Sequence, residues 1–287
     1  MGIIVNTQTA EKASETAQTK PVSDSSIYCE DCLTGLKKID NLSVDVCATT
    51  PPSFDEYVKS PTIGSGSGDI EDYIAGLVDV FAEVKRTLKE HGTLWVRMYE
   101  SAGDSGENLA VPQRLVVALI TSGWFYHKEI TWLSMSAIER ANITGEDGAE
   151  DQIGAPYKKE RVLVFSASSS VKTSELPDSA AVTSLNKHQN FYYLFCAIRG
   201  DTMLFCIPEC CPDGGTVLDP FMGSGDIAGI CVERGFDFIG FEIDRLSSRV
   251  ASSKIFMENA MKAKVQEAPA EKNEDAEDHT DPSDGLV

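Results

Sequence analysis

The chain has 287 residues, 42% of them hydrophobic, and a formal net charge of −20 at pH 7. Its length fits one substantial core with insertions better than two domains, and no apolar stretch could span a bilayer or form a signal-peptide core, so we expect a soluble, cytoplasmic protein without membrane contact. The charge argues against a general nucleic-acid binder, because such proteins usually present a basic face.

The first predicted elements follow a polar lead-in. Residues 1–26 are rich in Ser, Thr, Ala, Gln and Lys, and we expect them to be disordered. A short strand from Ile27, a helix over Cys32–Ile39 and a strand over Val44–Ala48 follow. The segment Thr49–Pro52, TTPP, ends that strand, because two prolines cannot continue a ladder and hold the backbone extended. Open α/β sheets bind ligands at this end of their strands.

One pair among the eight cysteines has the spacing of a redox or zinc motif, Cys29-x-x-Cys32. No second pair has ligand spacing, and the motif falls at a predicted junction between a strand and a helix. Reduced cysteine among apolar neighbours behaves as a small hydrophobe. We therefore favour a packing role and predict no metal site.

The middle of the chain alternates between helical and strand patterns. After a glycine- and serine-rich loop over Gly64–Gly68, an apolar stripe predicts a helix from Ile70 to about Glu90. Further elements are predicted in this order: strand 93–99, helix 112–122, strand 124–133, an acidic insertion over about 134–160, strand 161–166, a loop over 167–190 and a mixed segment over 191–211.

The stretch TVLDPFMGSGD predicts a buried strand over Thr216–Leu218 followed by a glycine turn. Gly223 and Gly225 allow a backbone too tight for a Cβ, and the N–H groups that open the next helix can receive a ligand. A helix closed by Arg234-Gly235 leads to a strand that ends at Glu242, where such folds bind ribose hydroxyls. The glycines alone could serve packing only, but the helix, strand and acid at these separations favour a ligand site.

The last segment, residues 265–287, contains eight acids and one lysine. We expect it to be an acidic, disordered tail that follows one folded domain over residues 27–264. Because the rest of the chain is acidic too, the tail alone does not account for the net charge.

Two separated pieces, DCLTGLKKIDNLSVDVCATTPPSF and TVLDPFMGSGDIAGICVERGFDFIGFEID, resemble the amino-group DNA methyltransferases in their permuted, beta-class order. In that order the catalytic S/D-P-P-Y tetrad precedes the F-x-G-x-G motif that binds S-adenosylmethionine. The resemblance covers about Ile27 to Asn259. It implies a Rossmann-like α/β methyltransferase fold with a mostly parallel twisted sheet, helices on both faces and a circularly permuted motif order.

The resemblance also implies roles for individual residues. Thr50 would accept an amino N–H, Pro51 and Pro52 would form a rigid arm, and Phe54 would supply an aromatic ring, since Ser53 stands at the fourth tetrad position. The implied cofactor-binding residues are Asp31, Asp219, Pro220, Phe221, Gly223, Ser224, Gly225 and Glu242. Glu242 would hold the ribose hydroxyls and Asp31 would lie near the adenine.

The implied activity is methylation of an exocyclic amino group of DNA, with S-adenosylmethionine as the methyl donor. Threonine before the two prolines favours N4 of cytosine, while N6 of adenine stays open; cytosine C5 is disfavoured because the chain has no Pro-Cys pair. Such enzymes modify DNA in bacterial, archaeal or viral host cells, and a homodimer is compatible because beta-class relatives are often dimers. The insertion over about 134–160 would be the DNA-recognition region, and Arg140, Lys158 and Lys159 are its candidate phosphate contacts.

Two departures from the family pattern support other readings. Ser53 replaces the aromatic residue, and Asp226 replaces a small neutral residue after the glycine turn. Asp226 would either cap the helix or repel the carboxylate of the cofactor. An inactive partner subunit of the same fold therefore stays open, as does an RNA or protein methyltransferase.

Overall fold

The computed structural model describes residues 25–132 except 61, 65 and 104, residues 160–176, 193–194 and 207, and residues 210–267. The predicted lead-in, most of the insertion, the later part of the 167–190 loop and nearly all of the acidic tail lie outside the described residues. The same holds for Arg140, Lys158 and Lys159. No helix in the described ranges is both long and apolar enough to cross a membrane.

Eight strands form one sheet in the order β1-β8-β7-β2-β3-β5-β4-β6. The strands are β1 (Ser26–Tyr28), β2 (Val44–Thr49), β3 (Leu88–Tyr99), β4 (Phe125–Trp132), β5 (Glu160–Ser166), β6 (Tyr193–Leu194), β7 (Thr216–Asp219) and β8 (Asp237–Phe241). Within this described sheet all neighbours are parallel except at β5, which runs antiparallel to β3 and β4. The predicted, mostly parallel α/β sheet is confirmed.

Helices cover both faces of the sheet. They are α1 (Cys32–Leu36), α2 (Phe54–Lys59), α3 (Ile70–Thr87), α4 (Val111–Thr121), α5 (Asp226–Arg234) and α6 (Arg245–Glu267). Leu77 and Leu115 of α3 and α4 belong to the hydrophobic core on one face. Ile227 of α5 and Ala251 of α6 belong to the core on the other face. A strand buried on both faces must be apolar throughout, as the sequence of β7 predicted.

The chain leaves the centre of the sheet in two directions. From β2 it passes through α2 and α3 to β3, and from β7 it passes through α5 to β8 on the opposite side. Strands β2 and β7 pair in parallel through Val46 with Val217 and Cys47 with Leu218. Their carboxyl ends therefore lie side by side at a topological switch point, where doubly wound folds bind ligands.

The predicted end of the long helix was wrong. Helix α3 ends at Thr87, and β3 begins at Leu88 rather than Thr93. Leu88 is extended and pairs with Val44, and the register shifts before Val46 meets Thr93. Leu88 is buried as a strand residue and also continues the apolar stripe of the helix, so the apolar periodicity did not distinguish a last helical turn from the first strand residue.

Helix α2 was not predicted at all. Ser53 is its N-cap, and Ser53 and Glu56 form a capping box in which each side chain accepts the other residue's backbone N–H. The S-x-x-E spacing was present in the sequence. The prolines had suggested a longer extended segment.

Helix α1 packs so tightly on β8 that Gly35 has no room for a side chain. A Cβ there would lie 2.1 Å from the Phe241 ring, which cannot bend away. We expect Gly35→Ala to lower the free energy of unfolding by about 1–3 kcal/mol, measured by urea denaturation. At Gly240 the clash is with the terminal methyl of Met222, at 1.8 Å. Because that side chain is flexible, Gly240→Ala should cost less, and an equal or larger loss would contradict this account.

Candidate active site

A cleft of about 470 Å³ opens at the carboxyl ends of the central strands. Its volume lies within the range of small-molecule sites. Eight of the residues singled out from the sequence line it: Asp31, Thr50, Pro51, Pro52, Pro220, Phe221, Gly223 and Glu242. Two motifs that are separated by most of the chain thus meet in one cavity.

The glycine turn between β7 and α5 has the backbone that its sequence predicted. Gly223 has φ 52° and Gly225 has φ 81°, both in the left-handed region that glycine tolerates. Gly225 also permits close packing, because a Cβ there would lie 2.8 Å from the Cβ of Ala251 in α6. The turn is therefore constrained both by its own backbone and by the last helix.

Glu242 fixes the same turn from the neighbouring strand end. One of its carboxylate oxygens accepts the N–H of Gly223 at 2.8 Å, and the other accepts the N–H of Asp244 at 2.7 Å. The side chain also lines the cleft. Each oxygen keeps a second lone pair, so the carboxylate can hold the turn and still accept a hydrogen bond from a ligand.

Asp31 lines the same cleft and is the N-cap of α1. Its Oδ1 accepts both the backbone N–H and the hydroxyl of Thr34, each at 2.9 Å.

In the neighbouring Cys29-x-x-Cys32 motif, Cys29 is exposed and Cys32 is buried. Burial, with the charge of Asp31, raises the pKa of the Cys32 thiol to about 12, so it stays protonated at neutral pH. The described residues contain no group of three or more His, Cys, Asp and Glu side chains placed to hold a metal.

The proline arm is held by aromatic side chains from α2 and α3. The Tyr73 hydroxyl donates a 2.7 Å hydrogen bond to the Pro52 carbonyl, and burial raises the pKa of Tyr73, which keeps it a donor. The ring of Phe54 packs against Tyr57 and Tyr73, with centroids 6.2 and 5.6 Å away. Ser53 is occupied as the helix cap. Of the residues that the structure describes, neither Ser53 nor Phe54 lines the cleft.

Thr49 and Thr50 bond to different partners. The Thr49 hydroxyl donates to Asp219 Oδ1 at 2.5 Å, and the same oxygen accepts the N–H of Phe221 at 3.0 Å. Thr50 Oγ1 instead accepts a 3.0 Å hydrogen bond from Arg97 Nε on β3. The arm is thus tied to the cofactor-side strand by one threonine and to β3 by the next.

Asp219 is almost fully buried between these partners. Burial raises its pKa to about 7, although the Thr49 hydroxyl, the Phe221 N–H and the charge of Arg97 act in the opposite direction. The nearby Glu242 adds to the increase. Asp219 therefore titrates near neutral pH rather than near pH 4.

Asp226 is the first residue of α5, and Gly225 rather than Asp226 is the N-cap, so the capping reading was wrong. The Asp226 carboxylate forms an ion pair with Lys254 of α6 and accepts the Ser224 hydroxyl at 3.2 Å. Burial raises its pKa, but these two partners outweigh burial and the pKa lies below its ordinary value. Asp226 is therefore ionised, and its charge is balanced by a lysine.

The sequence predictions missed the polar partners that hold the predicted residues in place, namely Thr49, Tyr73, Arg97 and Lys254. A signal existed for Arg97, since it is the one charged residue in the apolar strand sequence TLWVRMY. No local pattern marked the other three, because each partner comes from a distant element.

A family model described as DNA methylase, covering methyltransferases of the N6 and N4 type, matches residues 44–252. Among curated proteins, the type II methyltransferase M.SmaI of Serratia marcescens is 24% identical over 264 residues, which covers 80% of this chain and 90% of the relative. The type II methyltransferase M.Cfr9I of Citrobacter freundii is 24% identical over 246 residues, covering 75% and 82%.

Solved structures share the fold at low sequence identity. The PvuII cytosine-N4-specific DNA methyltransferase superposes with a TM-score of 0.62 at 16% identity, covering 81% of this chain and 86% of that one. A candidate DNA modification methylase of Thermus thermophilus, solved with S-adenosyl-L-methionine, gives 0.58 at 20% identity, covering 81% and 95%.

The raised pKa of Asp219 predicts a pH-dependent stability cost in the ligand-free protein. Between about pH 4 and pH 7 the unfolded chain has lost this proton while the folded chain retains it, so stability falls as pH rises through this window and is level above it. Asp219→Asn removes the titrating group but keeps an acceptor for Thr49 and Phe221. The free energy of unfolding of Asp219→Asn, relative to wild type, should therefore increase between pH 4 and pH 7 by at most about 4 kcal/mol and stay level up to pH 8.

Urea denaturation at several pH values measures this difference. Asp213→Asn at an exposed position is the matched control and should show no such trend. A constant difference between Asp219→Asn and wild type across the window would contradict a raised pKa.

Proposed function

The chain belongs to the DNA methylase family whose model matches residues 44–252, and on that basis we propose that it transfers a methyl group from S-adenosylmethionine to N4 of cytosine in DNA. The observation that carries this proposal is the juxtaposition of Thr50-Pro51-Pro52 with the glycine turn in a single cleft. A threonine hydroxyl before the two prolines supports cytosine. The fold is also shared with a cytosine-N4-specific enzyme.

The residues on the cofactor side fit S-adenosylmethionine. Left-handed Gly223 brings backbone to the cleft without a side chain, while Gly225 lies outside the cleft lining and packs on Ala251. Glu242 offers carboxylate oxygens at the end of β8, where ribose hydroxyls are held in related folds. Asp31 would lie near the adenine, and Asp219, Pro220, Phe221 and Ser224 would shape the turn. When bound, S-adenosylmethionine supplies an electrophilic methyl group on a sulfonium sulfur.

Thr50 and Pro51 would prepare the target nitrogen. The lone pair of an exocyclic amino group is conjugated into the ring, so the nitrogen is a poor nucleophile while it stays planar. Acceptance of its two N–H groups by Thr50 Oγ1 and the Pro51 carbonyl favours a pyramidal nitrogen with its lone pair directed away from the ring. The chain's main contribution is thus positioning.

The base must leave the duplex to reach this cleft, because its amino group is otherwise paired. We propose Phe54 as the aromatic partner of the flipped base because it directly follows the arm, although its ring packs against Tyr57 and Tyr73 and does not line the cleft of the ligand-free protein. Arg140, Lys158 and Lys159 remain our candidate phosphate contacts, and a homodimer remains a prediction for sedimentation measurements.

The alternative substrate is N6 of adenine, because the family includes methyltransferases of both types.

The hypothesis of an inactive partner subunit depended on Asp226 and Ser53. Asp226 is paired with Lys254, so its charge does not face a bound cofactor uncompensated. Ser53 stabilises the helix that follows the arm. A serine at this position thus has a structural reason of its own, as the helix cap.

Methyl transfer tests the proposal directly. Purified protein, labelled S-adenosylmethionine and mixed-sequence DNA should yield label in DNA, and mass analysis of the digested nucleosides should identify N4-methylcytosine. Thr50→Val should reduce transfer by at least about 100-fold because the arm loses its hydroxyl acceptor. Thr121→Val is the matched control, since that hydroxyl bonds only its own helix carbonyl at Val117 among the described contacts.

N6-methyladenine as the product would replace the cytosine assignment. Cofactor binding without transfer to any DNA, or full activity in Thr50→Val, would overturn the proposed mechanism.

Cofactor binding tests Glu242 separately. Glu242→Gln removes the charge and leaves one carbonyl oxygen where two carboxylate oxygens now accept hydrogen bonds. We expect about a tenfold weaker Kd for S-adenosylmethionine by calorimetry, equivalent to about 1.4 kcal/mol. Glu71→Gln, which removes an exposed ion pair with Arg114, should leave Kd unchanged. Equal affinities for both variants would exclude Glu242 from the cofactor site.

A further inference from the structure

Arg97 donates a hydrogen bond to Thr50, the proposed acceptor residue, and it belongs to neither of the two motifs that carry the family resemblance. It lies near the end of β3, partly buried, and its Nε–H donates to Thr50 Oγ1 at 3.0 Å. Arg97 is not one of the described residues that line the cleft. It therefore contacts the acceptor from behind rather than the space that a base would occupy.

The chemistry of a hydroxyl makes this contact consequential. A threonine oxygen has two lone pairs and one proton, and a guanidinium can only donate. The Arg97 bond therefore takes one lone pair of Thr50 and excludes orientations in which the Thr50 proton points at Arg97. Because Thr50 is β-branched and precedes a proline, its side chain has few other orientations. One lone pair remains for a ligand.

The surrounding charges keep Arg97 from acting as a bare cation. Against the effect of burial, its charge lowers the pKa of Asp219 and of Asp226, the two acids that flank the glycine turn. Asp226 is also paired with Lys254 and Asp219 titrates near neutral pH, so these acids balance the charge of Arg97 only in part. The directional hydrogen bond to Thr50 does not depend on that balance.

We propose that Arg97 is a positioning residue for the methyl transfer, which fixes the direction in which Thr50 presents its remaining lone pair to the target amino group. This inference rests on the proposed function. It assigns Arg97 no contact with the base or the methyl donor, so its effect must pass through Thr50.

A purely structural role would give different results. As a counter-ion for the acids, Arg97 would affect stability and cofactor binding, and its effect would be independent of the side chain at position 50. Asp226 already has Lys254, and Asp219 is hydrogen-bonded by Thr49 and the Phe221 N–H. A counter-ion role therefore does not account for the hydrogen bond from Arg97 to Thr50.

The test is a double-mutant cycle on kcat with Arg97→Met, Thr50→Ala and the double variant, at saturating DNA and S-adenosylmethionine. We expect Arg97→Met to lower kcat about 10- to 100-fold, with the calorimetric Kd for S-adenosylmethionine within about threefold of wild type. In the Thr50→Ala background the same change should lower kcat by less than about twofold. Arg114→Met, at an exposed arginine paired with Glu71, is the matched control and should keep wild-type kcat.

Arg97→Lys keeps the charge and can donate only from Nζ, which lies beyond the position of Nε, so its kcat should stay below wild type and this loss should also disappear in the Thr50→Ala background. If circular dichroism shows that Arg97→Met folds poorly, Arg97→Lys replaces it in the double-mutant cycle. Losses that multiply in the double variant, or wild-type kcat in Arg97→Met, would overturn the positioning role while leaving the proposed function intact. A wild-type protein that methylates no DNA would overturn both, which keeps the two failures distinct.

Discussion

The hydrogen bond from Thr49 to Asp219 joins two segments that are 170 residues apart in the chain. It lies at the end of the parallel pairing between β2 and β7, which is the only direct strand contact between the arm and the turn among the described residues. If these strands were displaced by one residue, every side chain at their ends would point to the other face. The position of Thr50 relative to the glycine turn depends on this register.

The same bond explains why a buried acid is tolerated here. An isolated carboxylate would be costly in this position, and the raised pKa of Asp219 reflects that cost. Its hydrogen bonds to Thr49 and to the backbone of Phe221 recover part of it and orient the start of the turn. A polar group that is expensive for stability thus specifies the relative placement of two loops, which an apolar contact could not do as precisely.

The parts of the structure that follow from local pattern were predictable from the sequence. The β7–turn–α5–β8 unit has its apolar strands, its glycines and its terminal Glu242 within one short stretch, and the resemblance supplied the arm as its partner. The boundary at Leu88 was not predictable, because Leu88 is buried as a strand residue and also continues the apolar stripe of the helix. Tyr73 and Lys254 could not be paired with Pro52 and Asp226, since those contacts exist only after α3 and α6 pack on the sheet. Thus the sequence motifs indicated which residues form the site, and tertiary packing determined how each is held.

The order of the motifs along the chain affects how the site forms during folding and not the chemistry of the assembled site. Strand β1 pairs with β8, through Ser26 and Ile239, so the start of the described chain lies beside its last strand. The arm comes early and the turn late, and the site exists only once a loop of this length has closed. Loop-closure entropy grows slowly with length, as about (3/2)RT ln n, so the cost is only modestly greater than that of a shorter connection. The β2–β7 ladder, with the Thr49–Asp219 hydrogen bond at its end, joins the two motifs directly once that loop has closed.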